Sequence, residues 1–178
     1  MASALLLIDI QNDYFPGGVM ELVGMEEASK RAAELLNSFR EKEALAFHIQ
    51  HFSVRPGASF FLPDTPGVEI HDRVAPSGTE PVIPKNFPNA FRGTELYQSL
   101  SKAGVEEVTI CGAMSHMCVD ATVRAAFDHG FVCNVAQDAC ATRNLEHEGR
   151  ALDAADVHAA FMSALSNPYA TVANARDL

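Results

Sequence analysis

Short, largely apolar runs alternate along this chain with segments in which apolar residues recur at helical spacing. Residues 5–8 form the first run, which Asp9 closes, and residues 108–111 form another. Uninterrupted runs of this length are typical of strands buried on both faces of a parallel sheet. Residues 26–40 instead follow a helical period. The alternation predicts an α/β fold, a three-layer sandwich around a mainly parallel sheet of about six strands.

The remaining segments extend this pattern across residues 1–178, which we interpret as one domain. Further strands are predicted at residues 44–52, 82–83, 131–135 and 170–172. Further helices are predicted at residues 94–103, 117–129 and 145–165. Residues 53–81 are rich in proline and glycine and show neither period. A loop of this length is unusual in a compact domain unless it is functional.

Charge and composition exclude several classes of partner. The formal net charge is -10, which argues against binding to nucleic acid or to anionic membranes, because both need a basic surface. No apolar run approaches the roughly 20 residues that cross a bilayer, and the first residues lack a secretory pattern. We therefore expect a cytoplasmic protein that binds neither nucleic acid nor membranes; the charge does not identify its substrate. In that compartment its four cysteines are expected to be free thiols.

Three reactive side chains stand at or just beyond the ends of predicted strands. Asp9 ends the first strand, Lys85 ends the strand at residues 82–83, and Cys118 follows the strand at residues 108–111. In open parallel sheets, ligands bind outside the carboxyl ends of the strands. The spacing therefore allows all three side chains to converge on one crevice.

Together the three residue types suit acyl transfer. A cysteine at a helix N-terminus has a lowered thiol pKa, and a nearby lysine lowers that pKa further. An adjacent carboxylate can take the thiol proton and return it to a leaving amine. Taken singly, Cys118 could be a buried structural thiol, Asp9 a loop cap and Lys85 a solvated surface charge.

The segments around these residues resemble motifs of the isochorismatase-like cysteine hydrolases, a superfamily that includes nicotinamidases and N-carbamoylsarcosine amidohydrolases. Residues 6–15 (LLIDIQNDYF) resemble the opening motif, and residues 112–122 (GAMSHMCVDAT) resemble the nucleophile segment. Residues 82–94 resemble the lysine segment. The motifs occur in the family's order, and the similarity extends from residue 5 to about residue 142.

The resemblance implies a catalytic triad of Asp9, Lys85 and Cys118. It also implies a cis peptide bond between Ala113 and Met114, and an oxyanion hole formed by the backbone N–H groups of Met114 and Cys118. Members of the family commonly form dimers or tetramers, so we expect a homo-oligomer. We expect no cofactor.

Aromatic residues and histidines suggest the rest of the site. We predict that the substrate pocket includes Phe15, Phe52, Phe87, Phe91 and His116. The nicotinamidase branch binds a metal through an Asp-x-His element after its second strand, and residues 50–53 (QHFS) lack that element. We therefore predict no metal. A three-histidine site at His48, His51 and His71 is the alternative.

The combined features predict a metal-independent hydrolase. It would cleave a C–N bond in a small amide, lactam or carbamoyl compound through a thioester on Cys118. One alternative is an isochorismatase-type vinyl-ether hydrolase, whose chemistry needs an acid but no thiol. Another is a non-catalytic binding protein of the same fold. A thiol redox protein would need a resolving cysteine, and Cys111, the nearest in sequence, falls within a predicted strand.

Overall fold

The computed structural model describes residues 2–178. Its strands are β1 (Ala2–Ile8), β2 (Leu45–His51), β3 (Val82–Lys85), β4 (Val105–Ala113), β5 (Val132–Ala141), β6 (Leu145–His147), β7 (Arg150–Leu152) and β8 (Thr171–Ala173). Its α-helices are α1 (Met25–Glu41), α2 (Leu96–Lys102), α3 (Asp120–Asp128) and α4 (Ala154–Leu165). Within the described residues, no helix combines the length and the apolarity needed to cross a membrane.

Six strands form one parallel sheet in the order β3-β2-β1-β4-β5-β8. Four helices flank the sheet, which confirms the predicted three-layer α/β sandwich. The chain builds outward from β1 to β3 and then returns to place β4 on the other side of β1. This reversal opens a crevice at the carboxyl ends of β1 and β4, where ligands bind in open α/β sheets.

The central strand β1 forms the middle of the hydrophobic core. Leu5, Leu6 and Ile8 are fully buried, as expected for a strand covered on both faces. Burying each such side chain contributes roughly 1.5–3 kcal/mol before the cost in chain entropy. The residue that follows β1 is therefore held in place by a rigid element.

Gly112 brings β4 unusually close to the end of β1. Its φ is +122°, and a Cβ at this position would lie 2.0 Å from the carbonyl oxygen of Ile8. Only glycine fits such an approach. The pairing of β4 with β5 also shifts between Ile110 and Gly112. The approach holds the segment after β4 against the end of β1.

The prediction of a helix at residues 145–165 is wrong for the first part of that range. Residues 145–152 form the β6–β7 hairpin, and α4 begins only at Ala154. Glu148 and Gly149, between the two strands, have φ of 50° and 77°, as a two-residue hairpin turn requires. The Ala154 N–H donates to the side chain of Asn144 (2.8 Å), so a capping contact starts the helix after the hairpin.

The long segment between β2 and β3 is tied to the body of the protein at several points. The carboxylate of Asp13 accepts from the Phe61 N–H (2.6 Å), and the side chain of Gln11 donates to the Val68 carbonyl (2.6 Å). Near the end of the segment, Glu80 forms a two-bond ion pair with Arg40 (2.7 Å for each bond). The segment is therefore an anchored loop despite its lack of strands.

Candidate active site

Asp9, Lys85 and Cys118 meet in the crevice at the carboxyl ends of the strands. Asp9 follows β1, Lys85 is the last residue of β3, and Cys118 lies in a π-helical turn, Ser115–Val119, directly before α3. Lys85 Nζ lies 2.8 Å from Asp9 Oδ2 and 3.3 Å from Cys118 Sγ. A carboxylate oxygen of Asp9 and the Cys118 sulfur are within 4.8 Å of each other. These distances allow proton transfer between the groups, directly or through one water.

The backbone around the site departs from regular geometry at two points. Asp9 has φ of 50°, a left-handed conformation that aspartate tolerates better than most residues. Its N–H donates to the Ile49 carbonyl (3.0 Å). The peptide bond between Ala113 and Met114 is cis. Asp9 is itself one of the three reactive residues, and Met114 directly precedes the π-helical turn that contains Cys118.

Asp9 and Lys85 form an ion pair whose side chains are both 0% exposed. Burial lowers the pKa of Lys85, but the charge of Asp9 and the hydrogen bonds to Asp9 and Cys118 oppose burial, and the pKa stays above its usual value. Lys85 is therefore a permanent cation at neutral pH. Asp9 Oδ1 has no hydrogen-bond partner within residues 2–178, which leaves it free to receive a proton.

The Cys118 thiol differs from the sequence expectation of a lowered pKa. Burial raises the pKa of Cys118, and the Asp9 carboxylate raises it further; Lys85 opposes both but does not overcome them. Cys118 does lie near the start of a helix and beside Lys85, the two features expected to lower its pKa. However, the thiol is only 4% exposed, and loss of hydration disfavours the thiolate. The resting side chain is therefore a neutral thiol at neutral pH.

His51 is a fourth member of the cluster. It ends β2, which lies between β1 and β3 in the sheet, and its Nδ1 is 2.8 Å from Lys85 Nζ. An ammonium group can only donate, so Nδ1 accepts and the ring proton is on Nε2. Burial and the charge of Lys85 lower the pKa of His51 to about 4. His51 is thus a neutral ring that fixes the lysine head.

The structure does not bring the three histidines of the alternative metal site together within residues 2–178. His48 Nε2 bonds the Glu80 carboxylate (2.9 Å), and His71 stacks on Phe15 with ring centroids 3.7 Å apart. His51 lies instead beside Lys85.

Asp9, His51 and Cys118 do have the spacing of a metal-binding group. However, the Lys85 ammonium bonds all three of these residues. A cation is therefore already present at the point where a metal ion would bind. With Lys85 charged, this donor set does not fit a metal.

A cavity of about 450 Å³ opens above Cys118. Its walls are largely apolar and aromatic, as in most small-molecule sites. The apolar wall residues include Tyr14, Phe60, Phe61, Phe87, Met114 and Met117. His51 and Arg55 supply polar groups to the same walls. The loop after β2 therefore forms a large part of the site.

Of the predicted pocket residues, Phe87 lines this cavity and the other four do not. The four that lie elsewhere are Phe15, Phe52, Phe91 and His116. Phe15 is buried in the core, and Phe52 is half-buried against the core. Phe15 is close to Asp9 in the sequence and Phe52 directly follows β2, but neither position brings the ring to the cavity.

The remaining two predicted pocket residues, Phe91 and His116, contact parts of the protein outside the cavity. Phe91 packs against His129 with ring centroids 4.9 Å apart. His116 Nδ1 bonds the hydroxyl of Thr142 (2.6 Å). His116 adjoins the nucleophile segment in sequence, yet the π-helical turn directs the two side chains to different surroundings. Phe60 and Phe61 line the cavity instead. No pattern in the sequence distinguishes these two rings from the other aromatic residues.

Comparison with known proteins agrees with the fold. The isochorismatase domain model matches residues 3–172. The chain belongs to the isochorismatase family. It is 53% identical over 172 residues to the isochorismatase family protein YddQ of Bacillus subtilis, covering 97% of this chain and 96% of that protein. The members of this family are hydrolases.

Two further comparisons extend the likeness within the family. A solved isochorismatase hydrolase of Oleispira antarctica has a TM-score of 0.95 at 48% identity, covering 99% of this chain and 95% of that one. Maleamate amidohydrolase of Pseudomonas putida is 30% identical over 165 residues, covering 84% of this chain and 78% of that enzyme. Relatives of this chain therefore include an amidohydrolase.

Proposed function

We propose that this protein hydrolyses the C–N bond of a small amide through a thioester on Cys118. The observation that carries the proposal is the position of Lys85 Nζ, 2.8 Å from Asp9 and 3.3 Å from Cys118. This arrangement lies at the base of an apolar cavity that Cys118 lines. The amidohydrolase among the relatives supports the same bond type, with lactam and carbamoyl compounds as close chemical variants.

The first step is attack by sulfur on the amide carbonyl. Because the pKa of Cys118 is raised, the thiol loses its proton to Asp9 as the C–S bond forms. Lys85 stabilises negative charge on whichever of the two groups carries it. The carbonyl oxygen becomes an oxyanion, which the N–H groups of Met114 and Cys118 would hold.

The second step breaks the C–N bond. The tetrahedral intermediate collapses, and Asp9 gives its proton to the departing nitrogen, which leaves as ammonia or an amine. The acyl group remains on Cys118 as a thioester. Asp9 is then a carboxylate again and is ready to act as a base.

The third step regenerates the enzyme. A water molecule gives a proton to Asp9 and attacks the thioester carbonyl. The C–S bond breaks, sulfur recovers the proton, and the carboxylic acid departs. The net reaction consumes one water and converts an amide into an acid and an amine. Tyr14, Phe60 and Phe61 would limit the access of other water to the intermediate.

The test is a panel of small amides, lactams and carbamoyl compounds, with release of ammonia or amine as the readout. The wild-type protein is compared with Cys118→Ala and with Cys133→Ala, which removes a different buried thiol. We expect at least one compound to be cleaved by the wild-type and Cys133→Ala proteins, with or without a strong chelator, and not by Cys118→Ala.

Two other results would contradict the proposal, and a third would add a metal to the mechanism. Cleavage of a vinyl ether such as isochorismate at similar rates by the wild-type and Cys118→Ala proteins would favour the isochorismatase-type reaction. Binding of compounds without any turnover would favour the binding protein. Loss of activity on chelation and its recovery with zinc, iron or manganese would require a metal in the mechanism.

A further inference from the structure

The loop that forms one cavity wall is closed on itself. The Ser53 N–H donates to the Phe61 carbonyl (2.9 Å), and the Ala58 N–H donates to the Arg55 carbonyl (3.2 Å). The Phe61 N–H is held by the Asp13 carboxylate. These bonds fix both ends of a short loop, so the position of Arg55 on the cavity wall is determined by the fold.

Arg55 gives the cavity a positive charge. No carboxylate lines the cavity in the part of the chain that the structure describes. At its base, the charges of Asp9 and Lys85 cancel and Cys118 is neutral. A positive pocket in a chain with net charge -10 favours entry of an anion.

The guanidinium of Arg55 is also free to bind a ligand. Arg40 and Arg124 each pair with a carboxylate, whereas Arg55 has no ion-pair partner within residues 2–178. Arg55 is exposed and lies on the wall of the cavity. Guanidinium groups bind carboxylates with two parallel hydrogen bonds.

The rest of the wall adds a donor and flat apolar surfaces. His51 must carry its proton on Nε2, because Nδ1 accepts from Lys85. The ring therefore brings an N–H donor to the cavity that it lines. Phe60, Phe61 and Phe87 offer ring faces and edges that suit a flat apolar group. Donors and aromatic walls together describe a planar ligand that carries hydrogen-bond acceptors.

We propose that the substrate is an amide with a planar, apolar body and a carboxylate at the end remote from the scissile bond, and that Arg55 binds this carboxylate. The proposal rests on the proposed amide hydrolysis for the identity of the reacting end. The carboxylate site itself follows from the cavity and can be tested without turnover.

The binding test uses Cys118→Ala, which cannot form a thioester. The probes are para- and meta-carbamoylbenzoate, neutral benzamide and cationic para-(aminomethyl)benzamide. We expect one of the two carboxylates to bind about tenfold tighter than benzamide, as one charge-assisted contact allows. Adding Arg55→Ala should remove this preference, whereas Arg150→Ala, which removes the same charge from the β6–β7 hairpin, should retain it.

The proposal is overturned if neither carboxylate binds more tightly than benzamide, if the cationic amide binds best, or if Arg55→Ala leaves the preference intact. Turnover of the same probes by the wild-type protein separates this proposal from the proposed function. Carboxylate preference in binding without cleavage of any amide would refute the hydrolase and keep the Arg55 site. Cleavage of amides without a charge preference would keep the hydrolase and refute the site.

Discussion

Lys85 and Asp9 form an ion pair 2.8 Å long in which neither side chain is exposed to solvent. Removing two charges from water costs free energy, and this cost cancels much of the attraction between them. The presence of this pair beside a buried thiol is explained if Asp9 accepts the thiol proton and Lys85 stabilises the negative charge that results. The pair therefore links the stability of the fold to the chemistry of the site.

Replacing one partner of this pair should destabilise the protein. Lys85→Met keeps a long apolar stem but leaves the Asp9 charge buried without compensation, which costs about 3–5 kcal/mol. Urea unfolding at pH 7 measures the loss. The double variant Lys85→Met/Asp9→Asn should recover much of it, since no buried charge remains. Equal stability of Lys85→Met and the wild-type protein would show that the pair is not buried in solution.

The raised thiol pKa predicts the response of Cys118 to alkylation. At pH 7 the wild-type Cys118 should react with iodoacetamide more slowly than free cysteine and faster as the pH rises. Asp9→Asn removes a charge that raises the pKa of Cys118, so labelling at pH 7 should become faster. Peptide mapping measures the rate at each cysteine. Slower labelling in Asp9→Asn would contradict this description of the site.

His51 should act as a positioning residue for Lys85. His51→Asn keeps an acceptor near the place of Nδ1, whereas His51→Phe keeps the aromatic ring and removes the acceptor. We expect kcat to fall by up to about 100-fold in His51→Phe, because the lysine head loses its position, and much less in His51→Asn. A role confined to filling space predicts the opposite order. The pH dependence of kcat in both variants provides a second readout.

Glu80 should make the stability of the protein sensitive to acid. Arg40 is the main reason that the pKa of Glu80 falls to about 2, compared with about 4.3 in an unfolded chain. A lowered carboxyl pKa contributes stability that is complete above the unfolded value and is lost as the pH falls towards the folded value. Glu80→Gln should therefore destabilise the protein at pH 6, and the difference should shrink between pH 4 and pH 2.

Unfolding of the wild-type protein and Glu80→Gln across this pH range checks the prediction. A difference that stays constant would mean that protonation of Glu80 is not involved. Glu146→Gln is a suitable control, because Glu146 is exposed on β6 and forms no ion pair within residues 2–178; its stability should differ little from that of the wild-type protein across the range.

The sequence predicted the three reactive residues because of a geometric regularity. The carboxyl ends of parallel strands lie at one edge of the sheet, so recognising both strands placed Asp9 and Lys85 at the same edge. Cys118 followed from the segment after the next buried strand. The resemblance to a family then separated these residues from other charged and thiol groups at strand ends.

Features that depend on register and loop path could not be predicted in this way. His51 meets Lys85 because these two residues are aligned across β2 and β3, and register is not readable from one strand alone. The rings of Phe60 and Phe61 reach the cavity through a closed loop with no periodic pattern. Residues 145–152 have apolar positions that also fit a helix, and the Glu148-Gly149 turn decided in favour of a hairpin.

The most direct test of the central claim is to trap the acyl group on the protein. The wild-type protein is mixed with an amide that it cleaves, quenched in acid during turnover, and analysed by intact mass and peptide mapping. The account predicts an added mass equal to the acyl group, located on Cys118, and no adduct or turnover in Cys118→Ala. Turnover in Cys118→Ala at more than about a tenth of the wild-type rate, with no adduct in either protein, would contradict covalent catalysis by this residue.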